Sequence, residues 1–222
     1  MIIVVGMAFE ARIAAQSGLP VVCAGNRRDL SAALHDAIGP DCKGLVSFGV
    51  AGGLKADLPA GTCVIGSAVV TGDRRFVLDR KWSEKLLQRV PGARSGIIAG
   101  VPAPVATAAA KHALHRDTGA VVVDMESHIV ASSAAHHGLP MAVIRVVCDP
   151  VARGLPDIAF RSVRADGTTN VMTLLGSIAR QPVHLPAMIR LALDARSARA
   201  SLTRCGRLLG PSLGLSGIAQ AA

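Results

Sequence analysis

Residues 120–131 read Ala-Val-Val-Val-Asp-Met-Glu-Ser-His-Ile-Val-Ala, and this run narrows the folds open to the chain. Three valines end in an acid, and a helical pattern begins within three positions. A strand that turns at once into a helix is the repeating unit of α/β sheets. Other strand-sized runs are Ile2–Val5, Leu19–Ala24, Gly44–Phe48, Cys63–Val70, Gly96–Ala99 and Met141–Val147. Between them lie helical patterns at Ala8–Gln16, Asp29–Ile38, Trp82–Val90, Val105–His115 and Ser127–His137. The alternation predicts an α/β fold, three layers deep, with a central, largely parallel mixed sheet. Gly154–Gly167 reads as a loop. Val171–Leu209 reads as helical, broken at Pro182 and Pro186. Residues 1–210 are expected to form one domain, and the Gly/Ser/Ala-rich 211–222 a frayed tail.

With 222 residues, half of them apolar, the chain can bury one large core. Aromatics are 2% and Tyr is absent, so that core is aliphatic. The apolar runs are far too short to span a membrane. Met1–Gly6 lacks the basic start of a secretory signal, which points to the cytoplasm. The five cysteines are scattered without a Cys-x-x-Cys pair and read as small buried hydrophobes. The histidines 112, 115, 136 and 137 have no acid or cysteine at metal-ligand spacing and read as surface residues. The formal charge of +9 is concentrated late: Arg180, Arg190, Arg196, Arg199, Arg204 and Arg207 face one acid, Asp194. Such a tail is a solvated helix face or a contact for an anionic membrane surface. A nucleic-acid binder would need stacking platforms, which one Trp and no Tyr do not supply.

Four segments could carry chemistry. Each lies just past a strand's carboxyl end, where open α/β sheets place ligands. In Gly6-Met-Ala-Phe-Glu10-Ala-Arg12, Glu10 is placed to hold a water or a hydroxyl, and Arg12 to meet an anion. An ordinary amphipathic helix start explains the same residues. In Gly49-Val-Ala51-Gly52-Gly53, glycines would let backbone N–H groups approach an anion, although a tight turn would look alike. In Met125-Glu126, an acceptor-only carboxylate can bind both hydroxyls of a ribose diol while Met packs on the sugar's flat face. Asp and Glu are also favoured at any helix start. Arg145-Val-Val-Cys-Asp149-Pro150 puts an acid at the mouth of an apolar strand, where a carboxyl group can serve as a general acid. It also reads as a plain Asp-Pro turn. A Gly-x-Ser-x-Gly elbow is missing, which argues against an α/β-hydrolase.

Taken in order, Gly6-Met-Ala-Phe-Glu10, Gly49-Val-Ala-Gly-Gly53, Val123-Asp-Met-Glu126-Ser and Arg145-Val-Val-Cys-Asp149 resemble the purine nucleoside phosphorylase and methylthioadenosine/adenosylhomocysteine nucleosidase superfamily. The resemblance covers about residues 1–150. Its most specific part is Asp-Met-Glu-Ser, and it looks most like the hopanoid-biosynthesis-associated phosphorylase subgroup, which acts on adenosylhopane. It implies a phosphorylase/hydrolase-like fold and N-ribosidic cleavage that releases adenine. Asp149 would protonate N7 of the purine. Glu126 would grip the ribose diol with Met125 beneath it, and Gly49, Ala51, Gly52 and Arg12 would line the phosphate or water side. Glu10 matches the position where nucleosidases hold their attacking water, whereas the phosphorylases tend to place an Arg there. Arg12, Arg74 or Arg75 would then supply a cation. Inorganic phosphate is the expected co-substrate and nucleophile, with no other cofactor and no metal. The expected substrate is a nucleoside with an apolar 5′ group. The enzyme is expected to be a homo-oligomer, cytoplasmic, with at most a peripheral contact to the inner membrane, and to bind no nucleic acid. Two alternatives stand: a hydrolytic nucleosidase for methylthioadenosine- or adenosylhomocysteine-type substrates, and a non-catalytic nucleoside-binding module that has no need of Asp149.

Overall fold

A computed structural model describes residues 1–26, 29–152 and 185–215. Its centre is a parallel pairing of β3 (Leu45–Gly53) with β8 (Met141–Asp149), in register from Leu45↔Met141 to Ala51↔Val147, after which a bulge sets Gly52 opposite Asp149. Outward from β3 run β1 (Ile2–Val5) and β2 (Val21–Cys23), both parallel. On its other side β8 pairs antiparallel with β4 (Cys63–Thr71). β6 (Arg94–Gly100) follows β4 in parallel, β7 (Val122–Asp124) follows β6, and β7 returns to the far end of β3 through Gly52↔Val123. The pairings β3–β8–β4–β6–β7–β3 therefore close a ring. Most of the pairings are parallel, as the strand–helix alternation predicts.

The side-chain alternation of the strands explains the layers. On β1, Ile2 and Val4 enter one core, and Ile3 and Val5 the other. The first core is closed by α2 (Leu30–Ala37) and α5 (Ser127–His136) through Leu30, Leu34, Val130 and Ala134. The second is closed by α1 (Ala8–Ala14), α3 (Arg80–Arg89) and α6 (Leu185–Leu209) through Ile13, Trp82, Leu86, Leu202 and Cys205. α4 (Ala108–Thr118) lies over a small third cluster with Leu54, Ala99 and Val123. Asp29 caps α2 by accepting from Ser31 N, Asp79 caps α3 from Trp82 N, and Thr107 caps α4 from Ala110 N.

Four local expectations change. Gly49–Gly53 is not a loop; β3 runs straight through it. A further strand, β5 (Arg74–Val77), forms a hairpin with β4 across Gly72-Asp73, with Gly72 at φ 52°. α6 runs from Leu185 to Leu209 without a break after Pro186, which sits in the first turn, where a missing N–H is harmless. Within the stretch expected to fray, Pro211–Gly214 forms a short 3₁₀ turn, and Leu213 and Leu215 are buried. The expected loop at Gly154–Gly167, the helical stretch before Leu185 with its break at Pro182, and residues 216–222 lie outside the described residues.

Candidate active site

The site begins where apolar alternation on the α5 face of the sheet is interrupted. Ser47 and Gly49 on β3 and Arg145 on β8 stand where Leu45, Ala51, Val143 and Val147 would lead one to expect aliphatic side chains. Gly49 pairs with Arg145 in register. Arg145 is fully buried. Its Nε donates to Asp124 Oδ2 in a very short ion pair, and its Nη2 donates to Ser47 Oγ at 2.7 Å and Ser127 Oγ at 3.2 Å. Asp124 is in turn fixed by Ser127, whose N donates to Oδ1 at 3.0 Å and whose Oγ donates to Oδ2. Thus the end of β7 and the start of α5 hold one carboxylate rigidly against the guanidinium.

Two further carboxylates share that cation. Glu126 Oε2 lies 3.7 Å from Arg145 Nη2. Glu10, the third residue of α1, accepts from Gly6 N and Met7 N at 2.8 Å each through Oε2, and from Val50 N at 2.8 Å through Oε1. Burial nevertheless raises the Glu10 carboxyl above its ordinary range, against the pull of Arg145 and these N–H groups. Burial also pushes Glu126 up to about 7, with Arg145 opposing and the charges of Asp124 and Glu10 adding to the rise. Burial disfavours the charge on Arg145, but Asp124, Glu126 and Glu10 together outweigh it and raise its pKa. With all groups ionised, three carboxylates would face one guanidinium. Arg145 Nη1 is buried and has no hydrogen-bond partner among the described residues.

The glycines make room for these acids. A Cβ on Gly49 would come 2.5 Å from Glu10 Oε1 and 2.9 Å from Arg145 Nη1, and one on Gly6 would come 2.7 Å from Glu126 Oε1. A Cβ on Gly52 would come 3.2 Å from Asp149 Oδ1. The expected anion cradle is therefore occupied in part by the protein itself: Val50 N–H serves Glu10.

At the mouth of β8, Asp149 is buried and meets a lysine that sequence reasoning had not singled out. Lys111 Nζ donates to Asp149 Oδ2 at 2.5 Å and to its backbone oxygen at 3.0 Å. Cys148 Sγ donates to Oδ1 at 3.1 Å. Met125, next to Glu126 in the chain, is exposed.

The structure thus brings Glu10, Glu126, Gly49 and Arg145 together, and sets Asp149 over Gly52 on the neighbouring ladder. Ala51 is buried in β3 within the aliphatic core. Arg12 does not join them. Two helical positions beyond Glu10 turn a side chain by about 200°, and Arg12 is exposed. Arg74 and Arg75 are exposed on β5, where Arg74 stacks over Phe76 at 4.7 Å. The cation beside Glu10 is Arg145. Asp124, Ser47, Ser127 and Lys111 complete the list of residues missed. The one available signal was a basic residue inside an apolar strand, Met141–Val147, which requires a buried acid. Of the other polar groups, His137 packs against His35 on α2 and meets the ring of His136 edge-on. Cys63 and Cys205 are buried, and Cys23, Cys42 and Cys148 half-buried. No described helix is long and apolar enough to cross a membrane.

The sheet closes on itself, and acids gather at its strand ends around a buried arginine, which makes this an α/β protein with a charged cluster at the carboxyl ends of its strands. The profile of the phosphorylase superfamily matches residues 2–180, and the chain belongs to that superfamily. Its fold is shared with the 5′-methylthioadenosine/S-adenosylhomocysteine nucleosidase of Campylobacter jejuni (14% identity, 93% of this chain and 96% of that one, TM-score 0.65). It is shared too with the futalosine hydrolase of Helicobacter pylori (16% identity, 94% and 96%, TM-score 0.63). A third neighbour is the Streptococcus pneumoniae methylthioadenosine/adenosylhomocysteine nucleosidase, solved with 8-aminoadenine (18% identity, 68% and 85%, TM-score 0.58). No curated protein sequence matches the chain at a significant level.

Proposed function

We propose that this protein is an enzyme that cleaves the N-glycosidic bond of a 5′-substituted adenosine and releases adenine. The observation that carries the reading is the meeting of Glu10, Glu126 and Arg145 in one buried cluster beside the glycines of β3. In this reading Glu126 accepts hydrogen bonds from the ribose diol, and Met125 packs on the sugar. Asp149 gives a proton to N7 as the C1′–N9 bond breaks and its electron pair leaves with the base. A water held by Glu10 and Arg145 Nη1 forms the new bond to C1′, and its proton passes to Glu10. The superfamily's adenine-binding neighbours and the resemblance to the hopanoid-associated subgroup support an adenosine with an apolar 5′ group, adenosylhopane being the substrate to test first. An apolar substrate would also favour a membrane surface. Exposed Ile189 and Leu193 near Arg190 and Arg196 on α6 are consistent with a peripheral contact. A homo-oligomer belongs to the same reading.

Phosphorolysis is the second reading, favoured by Arg145 Nη1, which has no partner among the described residues and suits an oxyanion as well as a water. Against it stand Glu10, Asp124 and Glu126, whose charges would repel a phosphate dianion at this distance. The test is product analysis of adenosines with different 5′ groups, with and without inorganic phosphate. Free sugar and adenine in phosphate-free buffer support hydrolysis. A sugar 1-phosphate formed only with phosphate supports the second reading. No adenine from any of these nucleosides would sink both.

A further inference from the structure

α4 has an unusual anchor. Its buried residue is not an aliphatic one but Lys111, which is fully buried. A buried ammonium without a counter-charge is costly, and this one ends on the last residue of β8. Its Nζ grips Asp149 at two points, side-chain Oδ2 and main-chain oxygen, 2.5 and 3.0 Å away. It therefore sets the carboxyl group and the backbone that carries it together. The grip falls where the chain passes to Pro150, which has no N–H to fix the strand end. The other carboxylate oxygen accepts from Cys148 Sγ at 3.1 Å, a thiol kept protonated by burial and by Asp149. An ionised carboxylate has lone pairs beyond these bonds, so both oxygens remain able to take a proton.

We propose that Lys111 is a positioning residue for Asp149: by holding Oδ2 and the main-chain oxygen at once, it fixes the carboxyl group in the orientation from which Asp149 serves the departing base. The proposal rests on the function assigned above to Asp149, and it separates from that function in experiment. If Lys111 works only through Asp149, its loss matters when the leaving group needs a proton and matters little when it does not.

The experiment compares adenine release from a 5′-substituted adenosine that the wild-type protein cleaves with nitrophenolate release from 4-nitrophenyl β-D-ribofuranoside, whose leaving group departs as a stable anion. Because a general acid contributes on the order of 100-fold or more, K111M should lower kcat for adenine about 100-fold and leave KM and nitrophenolate release within about 3-fold. Equal losses on both substrates would make Lys111 merely structural and overturn the proposal, as would no loss on the 5′-substituted adenosine. The double variant K111M/D149N, which removes both charges, should release adenine as fast as D149N, and a further loss would also overturn it. If K111M is not folded by circular dichroism, K111Q, which keeps a donor without the charge, takes its place. A wild-type protein that releases no adenine from any of the 5′-substituted adenosines refutes the functional reading itself, and that outcome is visible before any variant is made.

Discussion

β8 carries two charged stations four residues apart, and they are built on opposite plans. At Asp149 one carboxylate meets one ammonium, and a thiol takes up the second oxygen. At Arg145 one guanidinium is shared by Asp124, Glu126 and Glu10, one of its nitrogens has no hydrogen-bond partner among the described residues, and Glu126 is pushed up to about 7. The first station is balanced by the protein alone. With all its groups ionised the second would carry surplus negative charge, which hydroxyl donors from a ligand can offset. That contrast separates the two ends of the glycosidic bond in the proposed reaction: an acid held still at the base, and a charge-rich pocket at the sugar.

The contrast is broken most severely by removing the shared cation. R145M leaves three acids crowded without a counter-charge, and loss of one member of a buried ion pair costs about 3–5 kcal/mol. Thermal melting should show a large fall in Tm, and adenine release should vanish. A variant with wild-type Tm would show that the cluster is not held by Arg145. Next in size is D149N. An amide cannot donate a proton as an acid does, so adenine release should fall about 100- to 10,000-fold, with a lower Tm because Lys111 loses its counter-charge. Turnover close to wild type would remove Asp149 from the mechanism. A smaller loss is expected for E126Q on ribosides. A 2′-deoxy substrate should be hurt less by this change, because the missing hydroxyl leaves less to pair with. Equal losses for the two sugars would contradict diol recognition.

The smallest effect is on stability against pH. Glu126 titrates near 7 in the folded protein, above its ordinary value of 4.5, so the folded state holds the extra proton between those values. Its stabilising contribution is complete below the lower value and is lost as pH rises through the upper one. Wild-type Tm should therefore drop more than that of E126Q between about pH 5 and about pH 8. Parallel curves for the two proteins would show that Glu126 is not the source of the slope.

What could be read from the sequence follows the range of the interactions involved. β1 and β8 are legible because β-branched runs report local conformation directly. Asp29 marks a helix start by contacts within three residues, whereas the helix read as Val105–His115 begins only at Ala108, capped by Thr107. The glycines of β3 were misleading: the same absence of a side chain that makes a loop plausible also makes room for an acid from another element. β5 was missed because its four residues carry two arginines, although Gly72-Asp73 is a recognisable hairpin turn. Glu10, Glu126 and Asp149 could be singled out because each follows a strand. Lys111 could not, because its partner lies 38 residues away and a lysine in an alanine-rich helix looks like a solvated one. Arg12 was the reverse error, since closeness in sequence to Glu10 concealed the helical rotation between them.

Gly6, Gly49 and Gly52 each occupy the space beside one acid: Glu126, Glu10 and Asp149 respectively. Each glycine and its acid thus form a mutational unit even though they belong to different elements. A methyl group at position 49 excludes the carboxylate at position 10 as surely as deleting it would, so the effects of changing both should be far from additive. Shortening Glu10 to Asp is the change most able to make an alanine at 49 tolerable. In a lineage drifting away from this chemistry, the acid is the first to become dispensable, and only then is the glycine free to vary. Glycines retained at 6, 49 and 52 without their acids would mark a protein that has lost the reaction but still carries the outline of the site.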